Sequence, residues 1–257
     1  MAALLKAEGI GATLGRRQIL SGVDFSLAAG EFVVVIGPNG AGKTTLVRRL
    51  AGLLDGKGAI YLGDQKAEAV SPRLRARKIG YLPQGHVFHW PLSVADVVAL
   101  GRIPHASGAG DLGVEDRAAV LAALEATGTL EFADRSVTTL SGGERARVAL
   151  ARVLAGEPQI ILADEPVAAL DARYQFIVLD LLRARARAGA AVMAVLHDLS
   201  LAARYADRLV MMDGGRIVAE GSPEVVLTRQ NLAVTFGIRA KIDTVEGQLI
   251  VTPQAAL

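Results

Sequence analysis

Residues Gly37-Pro38-Asn39-Gly40-Ala41-Gly42-Lys43-Thr44-Thr45 have the types and spacing to hold a triphosphate. The glycines leave backbone N–H groups free to turn inward around phosphate oxygens. A helix starting behind such a loop points its positive dipole end at the same place. Lys43 would reach the β- and γ-phosphates, and the Thr44 hydroxyl would hold Mg²⁺. Loops of this kind serve kinases, GTPases and motors alike, so the loop alone leaves the reaction open.

Two further stretches narrow the chemistry. Ile160-Ile161-Leu162-Ala163-Asp164-Glu165-Pro166 is an apolar run ending in two carboxylates. Acidic groups at the carboxyl end of a central strand sit where an α/β sheet binds ligand. Asp164 suits Mg²⁺, through water. Glu165 suits general-base work on an attacking water, because phosphoryl transfer needs an oriented nucleophile and little covalent chemistry. Leu140-Ser141-Gly142-Gly143-Glu144 has a serine cap with a glutamate three residues later, as in a capping box. A cap does not need paired glycines, which cost ~1 kcal/mol each in a helix. Here they would clear a helix N-terminus for a phosphate.

The elements that must position these groups follow from patterning. Residues 3 to 36 read as β-structure broken at Gly9-Ile10-Gly11, Gly15-Arg16-Arg17 and Ala28-Ala29-Gly30. Phe32 to Ile36 is a β-branched strand leading into the loop, and Leu46 to Leu54 has helical spacing. Ala59 to Leu62 and Ile79 to Leu82 read as strands. Ser71-Pro72 opens a short helix bearing Arg73, Arg75, Arg77 and Lys78. Val94 to Leu100 and Asp116 to Thr127 have helical pattern and are separated by the glycine-rich Ala106 to Gly110. From Gln159 to Met212 strands and helices alternate, which argues for a parallel sheet with helices on both faces. Helices near Pro223 to Leu227 and Gln230 to Phe236 follow. The strand pair Ile238 to Val245 and Gln248 to Val251 closes the chain, turning at Glu246-Gly247.

The 257 residues, 51% of them hydrophobic, suit one large domain with an ample core. With no cysteine there is neither a disulfide nor a thiolate metal site. A net charge of +2, without a block of like charge, offers no nucleic-acid tail. The first eight residues are too short and too soon charged for a signal peptide. No run approaches the ~20 apolar residues of a membrane helix, so a partner would have to hold the chain at a membrane.

Taken in order, the phosphate loop, Leu140-Ser141-Gly142-Gly143-Glu144 and Leu162-Ala163-Asp164-Glu165-Pro166 resemble the ATP-binding cassette (ABC) ATPases. The resemblance covers nearly the whole chain. It implies an α/β fold: a P-loop NTPase core with a mostly parallel sheet flanked by helices, an N-terminal antiparallel β-subdomain and a helical signature subdomain. On that reading residues 1–84 and 157–227 form the core with its β-subdomain, 85–156 the helical subdomain, and 228–257 a C-terminal extension. ATP and Mg²⁺ are the implied ligands. Gln84 matches the loop glutamine that joins the lobes and senses Mg²⁺ and the attacking water. His197 matches the histidine that contacts the γ-phosphate, and Asp171 the aspartate that crosses to a partner subunit. In the family two copies pair head to tail, so Ser141, Gly142 and Gly143 would meet the ATP held by the other copy. Two positions depart from the pattern. Many members have Ser where this chain has Ala168, and Leu14 stands about where an aromatic often stacks on adenine. Base preference is therefore expected to be weak.

The free-standing cassette is similar to importer subunits whose membrane permease is a separate chain, served indirectly by a substrate-binding protein. DNA-repair relatives would carry a coiled coil or zinc cysteines, and translation-associated members two cassettes. Phe88 and Trp90, just after Gln84, fall where the family meets its permease and could instead pack the helical lobe. Val94 to His105 and the tail around Thr235 to Ile238 look like the importers of iron complexes (siderophores, haem) and cobalamin. Zinc and manganese importers and free-standing exporters are the competitors. The implied location is the cytoplasmic face of the inner (plasma) membrane, with no nucleic acid as partner.

Overall fold

The structure, a computed structural model, describes residues 3–85, 88–106, 112–168 and 170–257. Two long strands, β1 (Ala3–Leu14) and β2 (Arg17–Ala28), pair antiparallel and lead to β3 (Phe32–Ile36), the loop and α1 (Lys43–Leu50). Next come β4 (Lys57–Leu62), the two-residue β5 (Gln65–Lys66), α2 (Pro72–Lys78) and β6 (Ile79–Leu82). The helical region holds α3 (Val94–Ala99), α4 (Val114–Ala126) and α5 (Gly142–Ala155). Then follow β7 (Ile160–Asp164), α6 (Ala172–Arg187), β8 (Ala191–Val195), α7 (Leu199–Tyr205), β9 (Arg208–Asp213) and β10 (Arg216–Gly221). Short helices α8 (Pro223–Val226) and α9 (Arg229–Phe236) precede the hairpin β11 (Ile238–Val245) and β12 (Gln248–Ala256).

Six strands form the central sheet in the order β10-β9-β3-β8-β7-β6. Every pairing from β9 to β6 is parallel, and β10 closes one edge antiparallel. β3, β7 and β8 are buried along their whole length, as parallel strands covered on both faces must be. Their side chains alternate between two cores, following the period of two in a pleated strand. Phe32, Val34, Ile36, Ile161, Ala163, Val192 and Ala194 join the core shared with α5, α6 and α7. Val33, Val35, Ile160, Leu162, Met193 and Val195 join the core beneath α1 and the antiparallel sheet β2-β1-β4-β5. The sheet thus carries the loop at the carboxyl end of an interior strand, with α1 and a β-layer over one face and α5, α6 and α7 over the other.

α5 is the spine of the helical region. The Ser141 hydroxyl accepts from Glu144 N at 3.3 Å, and the Glu144 carboxylate accepts from Ser141 N at 2.7 Å, completing the capping box. Those bonds, with the Ser141 backbone N–H first, hold the Glu144 carboxyl below its usual range. Val148, Leu150 and Leu154 bury the helix against α3 and α4. Truncating Leu150 to Ala would cost roughly 2–5 kcal/mol, the range for a buried Leu.

Three sequence expectations need correction. Gly9-Ile10-Gly11 does not end a strand: β1 runs through it, with register shifts on both sides of Ile10. Gly9 takes a positive φ of 56° and its N–H donates to Asp24 Oδ1 at 2.7 Å, so the glycines make an irregular bend within one strand. β10 went unread because Arg216 to Gly221 alternates weakly and sits on an edge. β12 continues past Val251 to Ala256, through Pro253, as an edge strand tolerates. Most of the glycine-rich separator, Ser107 to Gly110, lies outside the described residues.

Candidate active site

The site forms where β3, β7 and β8 end on one edge of the sheet. β3 delivers Gly37 and the loop; β7 delivers Asp164 as its last residue; β8 leads through Leu196 to His197. The loop's glycines are required by space as well as by chemistry. A side chain at Gly37 would land on the Met212 carbonyl oxygen of β9. One at Gly42, where φ is +97°, would sit 3.0 Å from Leu20 Cδ2 and 3.1 Å from the Ile19 carbonyl oxygen. Only glycine lets the loop pass between these two strands.

Lys43 is folded back onto the loop. Its Nζ donates to the Gly37 carbonyl at 2.7 Å and the Pro38 carbonyl at 2.9 Å. Burial pushes the Lys43 ammonium below its usual range, outweighing the opposing pull of Glu165 and Asp164. The Thr44 hydroxyl donates to Asp164 Oδ1 at 3.2 Å. Asp164 is fully buried, and burial pushes its carboxyl up despite that bond. Its other oxygen, Oδ2, is buried without a hydrogen-bond partner among the described residues. A carboxylate with one free oxygen beside a threonine hydroxyl is the donor chemistry of a hard divalent cation.

Glu165 breaks the strand. Its φ is +54°, in the left-handed region, directly before Pro166. That conformation costs roughly 1–3 kcal/mol for a non-glycine residue, and proline further restricts the residue before it. The turn brings Glu165 Oε1 to 2.5 Å from His197 Nε2. Helix α7 starts immediately beyond His197, with Asp198 as its cap accepting from Leu201 N at 2.8 Å.

A cleft of about 480 Å³ opens over the loop and Glu165. Asn39, Gly40, Gly42, Lys43, Thr44, Thr45, Gln84 and Glu165 line it, with Leu14, Arg17 and Ile19 completing the wall. Gly37, Pro38 and Ala41 shape the loop behind it. Glu165 also borders a second cleft of about 270 Å³, shared with Val167, Ala168, Gln175 and His197. Ser141 and Gly142 belong to neither lining, and a side chain at Gly142 would meet open space within 4 Å. Asp171 caps α6 of its own chain, its Oδ1 accepting from Tyr174 N at 3.0 Å. Ala169 and the segment His86-Val87 lie outside the described residues. Phe88 and Trp90 part company: Phe88 packs partly against the core, and Trp90 is 75% exposed.

Sequence reasoning missed Arg17 and Ile19 as cleft residues. The signal was available in the strand period, since Arg17 stands opposite Leu14 across the Gly15-Arg16 turn and Ile19 shares its face.

The family description "ABC transporter" matches residues 20–168. The chain belongs to this family as an ATP-binding subunit, and hydrolysis of ATP coupled to transport is the family's activity. The hemin import ATP-binding protein HmuV of Streptomyces coelicolor is similar, 46% identical over 235 residues, covering 91% of this chain and 83% of that protein. A solved inward-facing metal-chelate type ABC transporter is similar in structure, with a TM-score of 0.84 and 27% identity over 99% of this chain and 98% of that one. A dimeric ATP-binding cassette bound to ADP and phosphate gives a TM-score of 0.75 and 28% identity, over 85% of this chain and 98% of its own.

Proposed function

We propose that two copies of this chain close on two ATP molecules and drive import of haem or a related iron chelate through separate membrane subunits. The 46% identity to a hemin import ATP-binding protein carries the choice of cargo. The meeting of Lys43, Thr44, Glu165 and Gln84 around one cleft, with Asp164 bonded to Thr44 behind it, carries the hydrolytic role.

In this reading the loop amides and Lys43 cradle the β- and γ-phosphates, Lys43 exchanging its two carbonyl partners for phosphate oxygens. Thr44, Asp164 through water, and Gln84 would hold Mg²⁺, which would supply positive charge to offset that on the phosphates. Glu165 takes a proton from the attacking water as its oxygen bonds to the γ-phosphorus and the bond to ADP breaks. His197 orients Glu165 and meets the γ-phosphate. Ser141, Gly142 and Gly143 do not line their own cleft, which supports their acting on the partner copy's ATP. Asp171 approaches the same partner.

Trp90, with Leu92 also exposed, supplies an apolar surface just beyond Gln84 for a permease segment. Among the described residues no helix is long and apolar enough to cross a membrane. The permease would therefore hold the chain at the cytoplasmic face, receiving cargo from a substrate-binding protein on the other side.

Deleting the gene tests the cargo. Loss of growth on hemin as sole iron source, with cobalamin, zinc and manganese uptake intact, is the expected result. Unimpaired growth on hemin would refute the assignment.

A further inference from the structure

Arg147, on the second turn of α5, is 6% exposed and lies between two aromatic rings. Its guanidinium carbon is 5.4 Å from the centre of the Phe132 ring and 4.2 Å from that of Tyr174. Phe132 belongs to the helical region, in the turn after α4. Tyr174 belongs to α6, whose Val178, Leu179 and Leu182 share the core with α5. Nη1 donates to the Thr127 and Gly128 carbonyls at 3.3 and 2.7 Å, fixing the arginine to the end of α4. Among the described residues no carboxylate comes within salt-bridge distance of it, although its charge helps to hold the Glu144 carboxyl down from three residues away, and its Nε is buried without a hydrogen-bond partner. Its direct contacts are therefore two carbonyl dipoles and two ring faces. Attraction between a guanidinium and an aromatic face strengthens when the pair is desolvated.

The two elements joined by the Tyr174 contact are the ones proposed to face a partner copy. α5 begins at Ser141 and Gly142, and Tyr174 is the residue whose N–H binds the Asp171 cap. We propose that Tyr174 is a positioning residue: its stack on Arg147 fixes α5 relative to α6, so Ser141 and Asp171 are presented to the partner in one fixed arrangement. The proposal rests on the head-to-tail dimer described above. It assigns Tyr174 no contact with nucleotide.

The test uses the full chain carrying Glu165→Gln, which is expected to hold ATP with strongly reduced turnover. Sedimentation velocity measures ATP-driven dimerisation, and a fluorescent ADP analogue measures single-site affinity. Tyr174→Phe keeps the ring face and should dimerise like its parent. Tyr174→Leu keeps apolar bulk without the face and should weaken dimerisation about tenfold, the scale of one desolvated cation–π contact. ADP-analogue affinity should be unchanged in both. Parental dimerisation by Tyr174→Leu would overturn the proposal. So would equal defects in the Phe and Leu variants, which would implicate the hydroxyl. Loss of ADP-analogue affinity in Tyr174→Leu would also overturn it, by revealing general damage to the core. A parent that stays monomeric with ATP would instead bring down the dimer reading, and this proposal with it.

Discussion

His197 Nε2 and Glu165 Oε1 lie 2.5 Å apart, although 32 residues separate them in sequence. The contact exists because Glu165 adopts a left-handed turn at the end of β7 while His197 leaves the neighbouring β8. The contact with His197 thus sets the direction of the Glu165 carboxylate. His197→Ala should leave ATP affinity near the parental value and lower hydrolysis by roughly 10²–10³-fold, the range for loss of one preorganised polar group. Filter binding alongside phosphate release checks both halves.

Asp164 carries a conflict between stability and function. Its folded carboxyl is pushed above the unfolded value by burial, so folding favours the protonated form. That contribution is fully present below the unfolded pKa and is lost as pH rises through the folded pKa. Above the unfolded pKa, Asp164 is thus a net cost to the stability of the nucleotide-free protein. Asp164→Asn should raise the nucleotide-free Tm at pH 7 and flatten its fall between acid and neutral pH. It should also abolish the extra Tm gain that Mg²⁺ adds to ATP. Thermal melts at several pH values, with and without Mg²⁺, measure both.

Leu14 and Arg17 face each other across the hairpin turn and wall the cleft. With no aromatic face there, GTP should bind and turn over nearly as well as ATP. Leu14→Tyr should tighten ATP by about fivefold or more, since a base stacked on an aromatic ring is worth ~1–3 kcal/mol. Competition titrations with the two nucleotides decide it; strict ATP selectivity in the parent would count against an aliphatic base site.

Ser141→Arg places bulk and charge at the capped start of α5, outside the chain's own cleft. Single-site ATP affinity should persist while ATP-driven dimerisation disappears. Survival of the dimer would refute action on a partner's nucleotide.

The nucleotide loop, the buried strands and the capped α5 were legible because each rests on local chemistry. Glycine at Gly37 and Gly42, β-branched runs in β3 and the Ser141–Glu144 pair all signal within a few residues. The bend at Gly9-Ile10-Gly11 was misread because a glycine pair signals a turn and an irregular strand alike, and pairing with β2 decides which. The Glu165–His197 contact depended on two strands lying side by side, which no local pattern encodes. His197 was identified only by family resemblance. The Arg147–Tyr174 stack joins α5 to α6, which lie far apart in sequence, and left no mark in local spacing.

The most direct measurement is sedimentation of the Glu165→Gln chain with and without ATP, paired with its phosphate release. The expected result is a stable ATP-dependent dimer whose turnover is lower by roughly 10²–10⁴-fold, the usual worth of a general base. A chain that stays monomeric with ATP, or hydrolyses it at the parental rate, would contradict the paired site built on Lys43, Asp164 and Glu165.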